Sequence, residues 1–303
     1  NFHVVVGQSS SIRNAGRCVK DAGLELAGLT LEPLASANAV LSNDEKEAGV
    51  ALIDIGGGTT DLAIFKDGII RHTYVVPFGG NVITDDIKEG CSIIEKQAEL
   101  LKVKFGSAWP GENRDNEIVS IPGLRGQDPK EISLKNLSKI IHARVVEIIE
   151  MVFEQIKIYG YDNPRKKLIA GIVLTGGGAE LNHIKQLVEY ITGIDTRVGY
   201  PNEHVAGDSA KMVSRPLYAT AVGLTIESEE RNKKAYSTQV ANPISVKSMS
   251  TAEVVHQNQI EVEQPEEQEE QPEVKTQSTE ERFRENFLEK YYRKFKEFGE
   301  KSE

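Results

Sequence analysis

The stretch Val50–Asp61, VALIDIGGGTTD, holds the residues best suited to do chemistry. An apolar run ends in an acid, Asp54. Gly56, Gly57 and Gly58 follow at once, then Thr59, Thr60 and a second acid, Asp61. Glycine admits backbone conformations that side chains forbid and lets main-chain N–H groups come close to a ligand. Successive N–H groups in such a turn form a concave anion site, and threonine hydroxyls can donate to phosphate oxygens. Asp54, at a strand end, can hold Mg²⁺ through water beside that phosphate, because Mg²⁺ usually keeps several waters. A ligand-free glycine hairpin would show the same three glycines, but the flanking acid and Thr-Thr-Asp favour the phosphate reading. No Lys-Ser/Thr follows, so this is not a P-loop.

A second glycine turn, Gly176-Gly177-Gly178, follows Leu168–Leu174, a near-continuous apolar run of the kind buried on both faces of a sheet. Strand, glycine turn and helix again offer backbone N–H groups to an anion, or a flat surface to a base or sugar. Either turn alone is a weak signal; together they could clamp one nucleotide. Gly79, Gly80 and Asn81 open a helix over 82–89, whose N-terminus and dipole would favour a phosphate. A plain turn with a cap is the other reading of those three residues. Glu99 and Lys102 lie three apart on one helix face, which on spacing alone reads as a solvated ion pair.

These residues need elements to position them. Asp67-Gly68 between two apolar runs signals a hairpin, so the first glycine turn joins two antiparallel strands, with a third in Ile69–Val76. Upstream, Phe2–Val6 and Leu24–Leu31 read as strands, Ser9–Ala22 and Pro33–Leu41 as helices, and Asn43–Gly49 as a polar loop. Ser92-Ile93-Ile94-Glu95 has the pattern of a capping box and predicts a helix to about Phe105. Residues 106–134 read as loop and hairpin, and 136–159 as the longest helix. Strand 194–198 and a last helix beginning at Arg215-Pro216 close the pattern. In that helix Ala219 and Gly223, four apart, would let it press closely on a neighbour. His142 reads as filling a surface niche, not as a metal ligand.

The chain has 303 residues, long enough for two domains. A formal charge of −10 argues against a nucleic-acid partner. Cys18 and Cys91 lack metal spacing and read as reduced thiols with core roles. No apolar run approaches the ~18 residues of a membrane span, and no signal peptide is apparent. The chain opens on an apolar stretch without Met, as a piece of a longer protein would. From about 228 to 280 the sequence turns to Ser, Gln, Glu and Pro with one aromatic, Tyr236, which reads as a disordered linker. Periodicity returns at Glu281–Phe298. Phe283, Phe287, Leu288, Tyr291, Tyr292, Phe295 and Phe298 make an aromatic face with a basic fringe, suited to a membrane interface or a partner groove. Docking on its own domain is the third possibility.

The order of parts is similar to the FtsA family of bacterial cell-division proteins, within the actin, Hsp70 and sugar-kinase superfamily. The match runs through VALIDIGGGTTDLAIF, RHTYVVPFGGNVITDDI, AELLKVKFG, AGIVLTGGGAEL and YATAVGL, followed by a linker and a terminal amphipathic helix. The resemblance implies an α/β, actin-like ATPase fold binding ATP and Mg²⁺. It implies polymerisation with further copies, binding of the FtsZ C-terminal peptide, and attachment to the inner face of the cytoplasmic membrane at the division site. It assigns Asp54 to the Mg²⁺ side, Gly56–Thr60 to the phosphates, Gly79–Asn81 to the turn beside them, Gly176–Gly178 to the adenosine, and Glu99 and Lys102 to positions that reach it. It divides the chain into 1–43, a remnant of an inserted first-lobe subdomain; 44–80 with 160–225, the nucleotide core; 81–159, an inserted partner-binding subdomain; 226–280, the linker; and 281–300, the terminal helix. The family's first phosphate hairpin would precede Asn1, so this piece alone is expected not to hydrolyse ATP, and the whole protein to do so slowly at most. An Hsp70-like chaperone would need a β-rich domain after residue 225, and a sugar kinase has no use for a free aromatic helix.

Overall fold

The computed structural model describes residues 4–114, 116–123, 128–161, 167–201, 207 and 213–241, with side chains only as far as residue 233. A five-stranded sheet, in the order β3-β2-β1-β6-β7, organises them. β1 (Val50–Ile55), β2 (Thr60–Lys66) and β3 (Ile69–Val76) form an antiparallel meander. The β2–β3 turn puts Asp67 at φ 55° and Gly68 at φ 73°, the positive dihedrals that a two-residue hairpin needs. On its other side β1 pairs in parallel with β6 (Ile172–Thr175), which pairs in parallel with β7 (Thr196–Val198). The carboxyl ends of β1 and β6 therefore lie side by side where the sheet changes from antiparallel to parallel. In open α/β sheets such a point is where ligands bind.

Side chains alternate across the sheet, so odd and even positions of β1 meet different layers. Ala51, Ile53 and Ile55 join Leu62, Ile64, Ile172 and Leu174 in the larger core. That core is closed by α4 (Gly80–Cys91), α5 (Glu95–Phe105), α6 (Leu134–Ile158) and α7 (Ile184–Thr192). Val50 and Leu52 join Ala63, Phe65 and Val173 in a second core under α2 (Glu32–Val40) and α8 (Ala219–Ala241). Each fully buried aliphatic contributes roughly 1.5–3 kcal/mol, and Leu52, Ile53, Leu62 and Ile64 are all buried to within 2%. A two-stranded hairpin, β4 (Ile118–Ile121) with β5 (Lys130–Ser133), precedes α6.

Several expectations are corrected. Residues 4–6 and 24–31 contain no strand, and Val4, Val6, Leu24 and Leu29 are exposed; neither stretch finds a sheet edge to pair with among the described residues. The expected loop 43–49 is instead α3 (Asn43–Ala48), started by a capping box between Ser42 and Glu45. Ser92 forms no such box: it ends α4 in the left-handed region (φ 48°), and α5 begins at Glu95 without a side-chain cap. β6 begins at Ile172, later than the apolar run at Leu168. α8 continues through Ala241, so helix occupies the start of the expected linker at 226. Cys18 is exposed, while Cys91 is buried. α1 (Ser9–Asp21) forms where expected but buries none of its side chains.

Candidate functional site

Asp54 is the last even position of β1, so its carboxylate leaves the sheet on the α2/α8 face. Asp61 sits directly opposite it on β2 and Thr175 directly beside it on β6. Asp54 is 4% exposed. Its Oδ2 accepts a 2.6 Å hydrogen bond from Ser36 Oγ of α2. Burial holds the Asp54 carboxyl above the ordinary range; the Ser36 hydrogen bond opposes this, Asp61 adds to it, and Thr220 opposes it again. Asp61 is raised too, mainly by burial, although Thr59 Oγ1 donates to it at 2.9 Å. Glu32, at the start of α2, is raised by burial and then by Asp61 and Asp54. Three carboxyls thus share a field that a cation would relieve.

The turn after β1 is closed by Gly56 N–H donating to the Thr59 carbonyl at 2.9 Å. Among the described residues nothing accepts from the N–H groups of Gly57, Gly58 or Thr59, and around Gly58 there is open space. The start of α4 lies across this turn: Gly80 N–H donates to the Gly56 carbonyl and Asn81 N–H to the Gly57 carbonyl, both at 2.8 Å. Gly79 must be glycine, because a Cβ there would fall within 2.5–2.9 Å of three carbonyl oxygens of the first turn. Thr60 Oγ1 donates to the Phe78 carbonyl, tying β2 to the same entry.

Lys102 of α5 turns onto this junction. Its Nζ donates to the Gly80 carbonyl at 2.8 Å and to Thr84 Oγ1 at 2.7 Å, and pairs with Glu99 at 2.7 Å. Thr84 in turn donates to Glu99. Burial raises the Glu99 carboxyl, but the hydrogen bonds from Lys102 and Thr84 and the Lys102 charge outweigh it, and the net direction is down. Lys102 is 12% exposed and Glu99 48%, so the pair is buried on its lysine side and solvated on its glutamate side.

The second turn closes on the same point. Gly176 has φ +80°, and a Cβ on it would run into Asp54 Oδ1 and the Ile55 carbonyl. Gly178 lies against the Ile55 side chain. Thr175 Oγ1 and Gly176 N–H both donate to the Pro216 carbonyl at 3.3 Å, which fixes the entry to α8. The structure therefore brings Asp54, Gly56, Gly57, Gly58, Thr59, Thr60, Gly79, Gly80, Asn81, Glu99, Lys102, Gly176, Gly177 and Gly178 into one connected region. The aromatic residues of 281–298 and the expected linker beyond 241 lie outside the described residues. Sequence reasoning missed Glu32, Ser36 and Thr220, which α2 and α8 bring to Asp54; their only signal was small residues on two helices. His142 bonds the Ala108 carbonyl through Nδ1 at 2.8 Å.

Among the described residues no group of three or more His, Cys, Asp or Glu could hold a metal directly. A hydrated Mg²⁺ needs only one or two carboxylates, and Asp54, with Oδ1 at the junction of the two turns and Asp61 opposite, fits that requirement. Grooves of about 260 Å³ (Phe153, Tyr161, Ile194) and 340 Å³ (Ala179, Ile184, Tyr200) lie elsewhere and include none of these acids.

Comparison with solved structures defines the class. MreB5 of Spiroplasma citri bound to AMPPNP superposes with a TM-score of 0.62 over 77% of this chain and 68% of that one, at 24% identity. A MamK double helical filament gives 0.54 over 74% and 66%, at 14% identity. Identities this low speak for the fold alone, and the fold is that of the actin-like ATPases. A family model for cell division protein FtsA matches residues 51–223, and the chain belongs to that family. FtsA of Neisseria meningitidis serogroup B is 39% identical over 222 residues, 73% of this chain and 53% of the relative. FtsA of Pseudomonas aeruginosa is 35% identical over 239 residues, 79% and 56%. The chain spans about half the length of these relatives.

Proposed function

We propose that this chain is the part of an FtsA cell-division protein that holds the phosphates and adenosine of ATP. The observation that carries the reading is the meeting of both glycine turns at Asp54: a Cβ on Gly176 of the second turn would strike the carboxylate of Asp54, the next-to-last residue of the strand before the first. In this reading Gly57, Gly58 and Thr59 present their amides to the phosphates, Gly176–Gly178 face the adenosine, and Glu99 and Lys102 border the site from α5. Asp54 holds Mg²⁺ through water, and the ion would supply positive charge against the phosphate oxygens. The whole protein forms filaments, binds the C-terminal peptide of FtsZ through 81–159, and attaches to the inner face of the cytoplasmic membrane through 281–298 at the division site. Support for these finer roles comes from membership of the family and from the aromatic face of the terminal segment. The nucleotide reading is tested by backbone hydrogen exchange of the protein at its full natural length, with and without Mg-ATP. Exchange at 57–60 and 176–178 is expected to slow at least tenfold. Protection confined to other segments would refute it.

A further inference from the structure

Asp54 is held by a relay that begins on a different helix, 166 residues away in sequence. Gly223 of α8 has no side chain, and a Cβ there would strike the Ala35 carbonyl; with Ala219, buried to 1%, it lets α8 lie directly on α2. That close approach places Thr220 Oγ1 2.9 Å from Ser36 Oγ. Ser36 is completely buried and spends its one proton on Asp54 Oδ2 at 2.6 Å. Thr220 must therefore be the donor to Ser36, since a hydroxyl has a single proton to give. The result is a one-way chain, Thr220 to Ser36 to Asp54. It fixes which carboxylate oxygen is used: Oδ2 is drawn back toward α2, and Oδ1 is left facing Gly176.

We propose that Ser36 and Thr220 are positioning residues that aim Asp54 at the hydrated Mg²⁺ of a bound nucleotide, and that through Thr220 the pose of α8 is coupled to occupation of the site. This rests on the nucleotide reading above. A buried carboxylate that loses its hydrogen-bond donor is free to rotate, and a hydrogen bond to a charged group is worth about tenfold or more in an equilibrium. Coupling follows from reciprocity: if the position of α8 decides how well Asp54 is aimed, the bound ion in turn favours one position of α8.

The test measures ATP affinity of the full-length protein with and without Mg²⁺ for wild type, Ser36→Ala, Thr220→Val and Thr220→Ser, together with amide exchange at 219–223. Thr220→Val keeps the shape of a half-buried side chain and removes only the hydroxyl, so it guards against misfolding of the buried Ser36 variant. The relay expects the Mg²⁺-dependent gain in affinity to fall about tenfold in Ser36→Ala and Thr220→Val and to survive in Thr220→Ser. Mg²⁺-free affinity should change less than twofold. Mg-ATP should slow exchange at 219–223 in wild type and not in Thr220→Val. A full Mg²⁺-dependent gain in Thr220→Val overturns the relay alone, as does an equal fall with and without Mg²⁺. Wild type that binds no ATP overturns the nucleotide reading and the relay with it.

Discussion

Asp54 works against the stability of its own fold. Its folded-state carboxyl is raised, chiefly by burial, with Asp61 adding to the effect and Ser36 and Thr220 opposing it. An acid raised in the folded state binds its proton more tightly folded than unfolded. Its ionisation therefore costs stability above the raised pKa, and that cost fades as pH falls toward the ordinary carboxylate value. Asp54→Asn should melt a few degrees higher than wild type at pH 7 without ligand (~2–4 °C for each kcal/mol), and the gap should narrow as the pH is lowered. Thermal melts across pH 4–8 would check it; a variant that melts lower at pH 7 contradicts the burial account. The first glycine turn was legible as a candidate site because its residues lie within seven positions: Asp54, the three glycines and two threonines. Ser36 and Thr220 were not, because nothing in 36 or 220 alone says that two helices will meet over β1.

At the scale of elements, one four-residue pattern, Ser-x-x-Glu, occurs twice among the described residues with opposite outcomes. Ser42-Asn43-Asp44-Glu45 forms a reciprocal capping box, with Ser42 N–H donating to Glu45 at 2.9 Å and Glu45 N–H donating to Ser42 at 3.2 Å. Ser92-Ile93-Ile94-Glu95 does not, because Ser92 N–H is already committed to the Glu89 carbonyl at the end of α4. The same residues read as a helix start in isolation and serve as a helix stop in context. Ser42→Ala should cost about 1 kcal/mol. Ser92→Gly should stabilise by up to ~1 kcal/mol, since glycine takes a left-handed conformation without the Cβ penalty. Urea unfolding of the two variants separates these cases; a loss of stability in Ser92→Gly would mean that its side chain caps something after all. The strands expected over 2–6, of which 4–6 are described, and over 24–31 were misread for a related reason. β-branched and apolar residues fit a pleated surface, but a strand exists only where a neighbour pairs with it, and the described residues offer these stretches none. The central meander was legible because Asp67-Gly68 fixes its turn and β1 and β2 are apolar on both faces.

At the scale of the whole molecule, the two glycine turns occupy one junction of the sheet, and the proposed membrane segment lies some forty residues beyond α8 in sequence. No helix among the described residues is long and apolar enough to cross a membrane. The attachment proposed above is through Glu281–Phe298. From 281 to 303 seven basic and six acidic residues leave a charge of +1, so insertion of the aromatic face should dominate and binding should depend little on salt. Vesicle co-sedimentation of wild type and the Phe287→Glu, Phe295→Glu double variant decides this: the variant should stay in the supernatant, and equal sedimentation would make the segment a protein-docking element. The central claim, that the first glycine turn holds the phosphates of ATP, is tested most directly by titrating Mg-ATP into the full-length protein and its Gly57→Val variant. The nearest atoms to a Cβ added at Gly57 belong to the Asn81 side chain, the first at 3.3 Å, so the variant should fold and melt close to wild type while the new side chain fills the space above the turn. The account expects at least a hundredfold loss of ATP affinity with little change in melting temperature; unchanged affinity would contradict it.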